Sequence, residues 1–304
     1  MTNTTKQAIM GTMRIPFLVL TPACVVLGVA ATAWSGKTLN LWYLILAAIG
    51  ALAAHISVNA LNEYFDFKSG LDFNTQKTPF SGGSGVLPSH PEKSHLGLIT
   101  GLVAFAATGL IGIYFIFVWG WGILPLGLAG LAIIALYTTW ITKNTFLCLV
   151  APGLGFGPLM VMGTAFVLTG SYSMTAFIAS LVPFFLVSNL LLLNQFPDVE
   201  PDKEIGRRHL PIAIGTRASA WIYAIFMACT YAAVIYGYLA GLFHWAGLLA
   251  LGSAVLAFPT IRGVLKHSQS IPALIPYMGK NVVITIFTPV LLAIGLFLGR
   301  FLGA

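Results

Sequence analysis

The sequence predicts an all-α, polytopic membrane protein with nine transmembrane helices in a bundle of two related halves. Three observations predict it. Charged residues make up 8% of the chain and hydrophobic residues 58%, against about 25% and 45–50% in a soluble domain. Apolar runs of roughly 20 residues, each long enough to span a bilayer as a helix, recur along the whole length. With nine spans, only Lys37 and Arg300 of the 15 basic residues fall on one side. The positive-inside rule then makes the other side, with the N-terminus, cytoplasmic. It also accounts for the net charge of +7 without nucleic acid. The alternating pattern of a membrane barrel is absent, and helices satisfy their own backbone groups in lipid.

Taken in order, a short polar segment to Thr12 precedes span one, about Arg14 to Trp34. Ala31-Thr-Ala33 has the form of a signal-peptidase site, but the other spans need no removed leader, so the span is expected to be retained. Span two, about Leu41 to Asn62, ends in an acidic cluster, and a long loop with Ser81-Gly-Gly-Ser-Gly85 follows. Connections of that length are functional or disordered more often than not. Span three (about Leu96–Trp119) meets span four (to about Trp140) at a tight Gly120-Trp121-Gly122 turn. Span five (about Thr145–Leu168) carries Pro152 and glycines 153, 155, 157 and 163, which allow close helix approach and a kink. Span six (about Met174–Phe196) ends in a second acidic cluster. Spans seven (about Ala218–Leu239), eight (about His244–Val264) and nine (about Ile271–Leu298) complete the bundle. The whole chain, 1–304, reads as a single domain with cytoplasmic loops about 63–95 and 197–217.

The two acidic clusters carry the chemistry. The first reads Asn62-x3-Asp66-x5-Asp72 and the second Asn194-x3-Asp198-x3-Asp202, with Asn and first Asp at the same offset in each. All eight acids, at 63, 66, 72, 92, 198, 200, 202 and 204, are expected in the two loops rather than inside spans. Asn62 and Asp66 share a helix face, and Gly70 allows the chain to turn and bring Asp72 back. Asn194, Asp198 and Asp202 form one stripe, interrupted by Pro197 and Pro201. Four converging carboxylates repel one another and need cations. An all-oxygen donor set points to a hard ion such as Mg²⁺, held together with substrate phosphates. Lys68, Lys77, Lys143, Lys203, Arg207 and Arg208 lie on the same side to meet phosphate. The plainer reading is solvated helix caps in a transporter. Against it, no acid falls at mid-membrane depth, where transporters place ionisable groups. Cys24, Cys148 and Cys229 lie in apolar runs and read as buried thiols, and the six histidines form no metal pattern. Of the aromatics, Tyr64, Phe65, Tyr137 and Phe156 fall near enough to face such a site.

At these residues the chain resembles the UbiA superfamily of intramembrane prenyltransferases, over most of its length. The details look like the 1,4-dihydroxy-2-naphthoate branch of menaquinone synthesis. They are the Asp66-x5-Asp72 spacing around Gly70, Gly82-Gly-Ser-Gly-Val-Leu87, Tyr137-Thr138, Gly155-Phe-Gly157-Pro158 with Gly163-Thr164, Asp198-Val-Glu-Pro-Asp202-Lys-Glu-Ile-Gly206-Arg207, and Arg14-Ile-Pro16. Pro197, His209 and Lys77-Thr-Pro79 depart from the pattern. The resemblance implies that Asp66, Asp72, Asp198 and Asp202 hold Mg²⁺ and catalyse prenyl transfer. It implies that Asn62, Asn194, Arg14, Lys77, Lys143, Arg207 and Tyr137 contact substrate. The partners would be a polyprenyl diphosphate, an aromatic acceptor and the lipid of a prokaryotic cell membrane. Acceptors such as 4-hydroxybenzoate or a glyceryl phosphate would use the same chemistry.

Overall fold

The structure, a computed structural model, describes residues 3–75 and 77–303. It is helical throughout, with no strand among the described residues. Helix α1 (Asn3–Thr12) gives the N-terminal segment a structure that its polar composition did not announce. It is held because Ala8 and Thr12 are fully buried where α1 meets helices further along the chain. Arg14, in a left-handed conformation (φ 52, ψ 53), turns the chain into a 3-10 segment, Ile15–Val19, and then α2 (Leu20–Trp34).

Helix α3 (Leu41–Ser69) starts where the Asn40 side chain accepts from Tyr43 N and stops at left-handed Gly70 (φ 82). It therefore runs nearly two turns beyond the expected end at Asn62, and Glu63 and Asp66 stand on the helix itself rather than in a loop. The continuation is possible because both carboxylates find basic partners. Two short helices, α4 (Leu71–Asn74) and α5 (Val86–Ser89), frame the glycine-rich segment. Then come α6 (Ser94–Trp119) and α7 (Leu124–Leu136).

Among the described residues, eight segments are long and apolar enough to cross a membrane. The 46-residue Pro91–Leu136 segment would be about 69 Å as one helix, twice a bilayer core of about 30 Å. Gly120 (φ 76) divides it, so α6 and α7 pack against each other and both against α3. Counted as two, it yields the nine crossings expected.

The glycine-rich fifth span is α8 (Thr145–Leu154), a π-helical stretch (Gly155–Met162) and α9 (Gly163–Thr169). The close approach is as expected: Gly153 and Gly157 sit against Ser188, Phe184 and the Ser180 carbonyl of α10 (Met174–Asn194), leaving no room for a Cβ. The π geometry was not anticipated; it lies beside Pro152 and around Pro158, which cannot donate to a regular ladder.

After α10 the second acidic stretch is not one stripe. The helix ends at Asn194, and Asp198 stands just before a separate short helix, α11 (Val199–Glu204), without a side-chain cap bond to it; that helix contains Asp202. Helix α12 (Leu210–Leu239) breaks at Gly215 (φ 82, ψ 159), close to the expected start of its span. A 3-10 stretch (Trp245–Ser253), α13 (Ala254–His267) and α14 (Ile271–Leu302) follow. Helices α2, α10, α12 and α14 pack around fully buried Leu27, Leu186, Tyr223, Met227 and Leu292. Arg300 lies beside Gly36, so the two isolated basic residues mark the same end of the bundle.

Candidate active site

The two acidic stretches meet in one polar cavity of about 120 Å³. Its walls include Asn62, Asp66, Asp72, Asn194, Asp198 and Asp202, and also Arg14, Tyr137 and Arg207. Helix α3 presents Asn62 and Asp66 four residues apart on one face, and Gly70 folds α4 back so that Asp72 joins them. On the other side, α10 ends at Asn194 and α11 begins at Asp198. Asp202 N bonds to the Asp198 carbonyl (3.0 Å), and Arg207 N to the Asp202 carbonyl (3.0 Å), which curls Arg207 over its own motif.

Arg207 ties the two halves. Its Nη1 donates to Asp202 Oδ1 (3.0 Å) and its Nη2 to Asp66 Oδ1. A planar fork with fixed donors suits this double contact. Burial alone would lower its pKa, but Asp66 and Asp202 outweigh that and hold it above the ordinary value. His209 Nε2 lies 3.2 Å from Asp202 Oδ2 but is not aligned for a hydrogen bond. Arg14 Nε donates to Glu63 Oε1 (2.6 Å). Asn62 Nδ2 donates to Thr138 Oγ1 (3.1 Å), which fixes its carboxamide.

Asp72 and Asp198 differ from the other two aspartates. Asp72 Oδ2 and Asp198 Oδ1 are buried and have no hydrogen-bond partner. Burial, with Glu63 and Asp66 nearby, pushes the Asp72 carboxyl up to about 7. Burial and then Asp202 push Asp198 up to about 7, against the pull of Arg207 and Ser81. Buried carboxylate oxygens without partners are costly, and a hard divalent cation is the partner that this all-oxygen set fits. Among the described residues no three Asp, Glu, His or Cys side chains are gathered closely enough to hold an ion together, and the Arg207 guanidinium lies between Asp66 and Asp202.

A second, larger cavity of about 340 Å³ adjoins the first, and Arg14, Asn62, Phe80, Tyr137 and Asn194 line both. Below this junction the walls are apolar: Ala47, Ala51 and Val58 of α3, Leu126, Gly130 and Ile133 of α7, and Phe156, Leu159 and Met160 of the π segment. It reaches Ile123 at the far end of α7, about 20 Å of helix away. A few polar side chains interrupt these walls, among them Asn59, Thr108, Thr164 and His55, whose Nδ1 shares a hydrogen bond with Thr21 Oγ1 (2.8 Å).

Nine of the eleven residues expected at the site, counted from the polar cavity's walls, come together there. Lys77 and Lys143 do not line either cavity: Lys77 lies over Gly85, and Lys143 is exposed beyond α7. Tyr137 and Phe156 face the cavities, whereas Tyr64 and Phe65 meet edge to face outside them. Cys148 is buried at the polar cavity and Cys229 is only half-buried. Sequence reasoning missed Glu63, Ser81, Ser84 and His55. The signal for Glu63 was its place next to Asn62 at the end of an apolar run.

With this geometry in view, similarity to known proteins is informative. The UbiA prenyltransferase family profile matches residues 19–278. A 1,4-dihydroxy-2-naphthoate octaprenyltransferase of Bacillus subtilis (strain 168) is 31% identical over 183 residues, 59% of this chain and 57% of that protein. One of the same name from Escherichia coli (strain K12) is 25% identical over 97% of this chain and 96% of that protein. Among solved structures, a UbiA homologue from Aeropyrum pernix K1 shares the fold with a TM-score of 0.65 at 15% identity, covering 93% of this chain and 98% of that one. A UbiA homologue from Archaeoglobus fulgidus bound to GPP and Mg²⁺ has a TM-score of 0.62 at 13% identity, covering 94% and 99%. The match along most of the chain shows that this integral membrane protein belongs to the UbiA prenyltransferase family.

Proposed function

We propose that the chain transfers an isoprenyl group from a polyprenyl diphosphate to an aromatic quinone precursor, 1,4-dihydroxy-2-naphthoate being the first acceptor to test. The observation that carries this reading is the junction of an aspartate-lined polar cavity with a long apolar one. A diphosphate head with a hydrocarbon tail has that division of polarity. The Bacillus and Escherichia relatives supply the acceptor class by name, and the Archaeoglobus relative was solved with GPP and Mg²⁺.

Asp66, Asp72, Asp198 and Asp202 would hold Mg²⁺ there. When bound, it neutralises the diphosphate and makes it a better leaving group. Asn62 and Asn194 orient the phosphates, and Arg14 and Arg207 meet the charge that grows on the departing oxygen. Tyr137 and Phe80 stand at the junction of the cavities, where the allylic carbon becomes electron-poor and an aromatic face stabilises it. The apolar walls keep water from that carbon. An electron-rich ring carbon of the acceptor attacks it, and the ring then loses a proton. Lys77 and Lys143 have no part in this assignment. The basic asymmetry puts the site and the N-terminus on the cytoplasmic side.

Purified protein incubated with Mg²⁺, a polyprenyl diphosphate and a panel of acceptors tests the proposal by product mass. A prenylated naphthoate product is expected. A prenylated 4-hydroxybenzoate or glyceryl phosphate with no naphthoate product would replace the acceptor, and no product from any of the three would overturn the reading.

A further inference from the structure

Glu63 is fully buried and does not line either cavity. Its carboxylate is spent on two elements outside α3. Oε1 accepts from Arg14 Nε (2.6 Å) and from Ser84 N (2.8 Å), and Oε2 accepts from Ser84 Oγ (2.6 Å). A buried carboxylate persists only with such partners, so the contacts are demanded rather than incidental.

The two elements it holds both border the polar cavity. Arg14 is the one non-glycine residue with positive φ among the described residues, and it lines both cavities. With Nε bound to Glu63, its two Nη groups are left for a ligand. Ser84 ends the strap whose Phe80, Ser81, Gly82 and Gly83 wall the polar cavity. Gly82 (φ 88) and Gly83 (φ 70) occupy left-handed backbone, and a Cβ on Gly83 would lie 2.9 Å from Asp72 Oδ1. Among the described residues neither glycine N–H has a hydrogen-bond partner. Consecutive amides in such a segment form an anion-binding concavity.

We propose that Glu63 is a positioning residue for the diphosphate: it fastens the Ser81–Ser84 strap and Arg14 to the first aspartate motif. The Gly82 and Gly83 amides and the Arg14 guanidinium then converge on the phosphates. This rests on the diphosphate reading above. A carboxylate that only stabilised the fold would leave phosphate affinity unchanged, and that difference is what the test reads.

The full chain in detergent, as wild type, Glu63→Gln and Glu63→Asp, is compared in two measurements. Without ligand, hydrogen exchange over residues 80–85 is expected to be several-fold faster in Glu63→Gln, as local opening becomes easier. Titration with inorganic pyrophosphate and Mg²⁺ is expected to show about tenfold weaker binding, the worth of one hydrogen bond to a charged group. Glu63→Asp, which keeps the charge, recovers part of both. In turnover the KM for prenyl diphosphate rises and kcat falls with it, because the loosened Arg14 also meets the charge on the departing oxygen, while the acceptor KM stays within about twofold. Unchanged exchange overturns the strap attachment. Faster exchange with unchanged pyrophosphate affinity overturns the positioning role. A wild type that binds no pyrophosphate overturns the diphosphate reading itself, and with it the positioning role, while the exchange result still decides the strap. If Glu63→Gln is not recovered folded, Ser84→Ala, which deletes one donor to the same carboxylate, carries the same comparison.

Discussion

Asp66 and Asp202 belong to different motifs yet share one guanidinium, that of Arg207. The remaining pair, Asp72 and Asp198, present buried oxygens with no partner in the protein. The four carboxylates therefore form one electrostatic unit, and removing one should disable the whole. Asp66→Asn and Asp198→Asn are each expected to lower turnover by at least about a hundredfold, the scale of losing one strong stabiliser of developing charge. The double variant should be little worse than either single, since groups acting as a unit are not additive. Glu92→Gln, exposed in the loop after the first motif, should match wild type. Initial rates on the four variants and wild type decide it. Losses that multiply in the double variant would mean that the motifs work separately.

At the scale of elements, glycine does two different jobs in the fifth span. Gly157 lies against the Ser180 carbonyl and Phe184 of α10, whereas nothing crowds Gly163. Small residues let membrane helices approach closely, and packing holds them together there. Gly157→Ala should cost about 1–3 kcal/mol through overpacking and lower the thermal midpoint in detergent by several degrees. Gly163→Ala should leave it nearly unchanged. Equal midpoints for the two variants would refute this account of the interface. On α7, Gly130 lines the large cavity on the face shared with Leu126, Ile133 and Tyr137. Gly130→Phe is expected to shift preference toward shorter prenyl diphosphates, measured as kcat/KM across chain lengths. An unaltered preference would place the tail elsewhere.

For the whole molecule, the charge pattern and the site location agree. The acidic motifs sit at the end opposite the Gly36–Arg300 pair, and nearly all the cationic side chains accompany them. A cysteine introduced at Ser69, which is exposed beside Gly70, should react with a membrane-impermeant reagent only from the cytoplasmic side. Reaction from outside in intact cells would reverse the orientation. Excess chelator should abolish turnover and Mg²⁺ or Mn²⁺ restore it, because the donor set is all oxygen. Full turnover without a divalent ion would remove the metal from the reaction.

Helix number and the pairing of the two aspartate motifs were legible in the sequence because bilayer thickness and the cost of buried charge act on composition directly. Apolar length marks a span, and acids excluded from lipid gather where the chain meets water. Spacing likewise brought Asn62 and Asp66 to one helix face. The helical N-terminus, the extension of α3 past Asn62, the bend that separates Asn194 from Asp198 and the π geometry of Gly155–Met162 were decided only by tertiary structure. Each depends on partners distant in the chain. Glu63 stays buried on α3 because Arg14 and Ser84 reach it from opposite directions in the sequence. Lys77 and Lys143 show the reverse case. Their charge and side of the membrane suited phosphate contact, but charge carries no direction, and in the fold Lys77 lies over Gly85 and Lys143 is exposed, so neither lines a cavity.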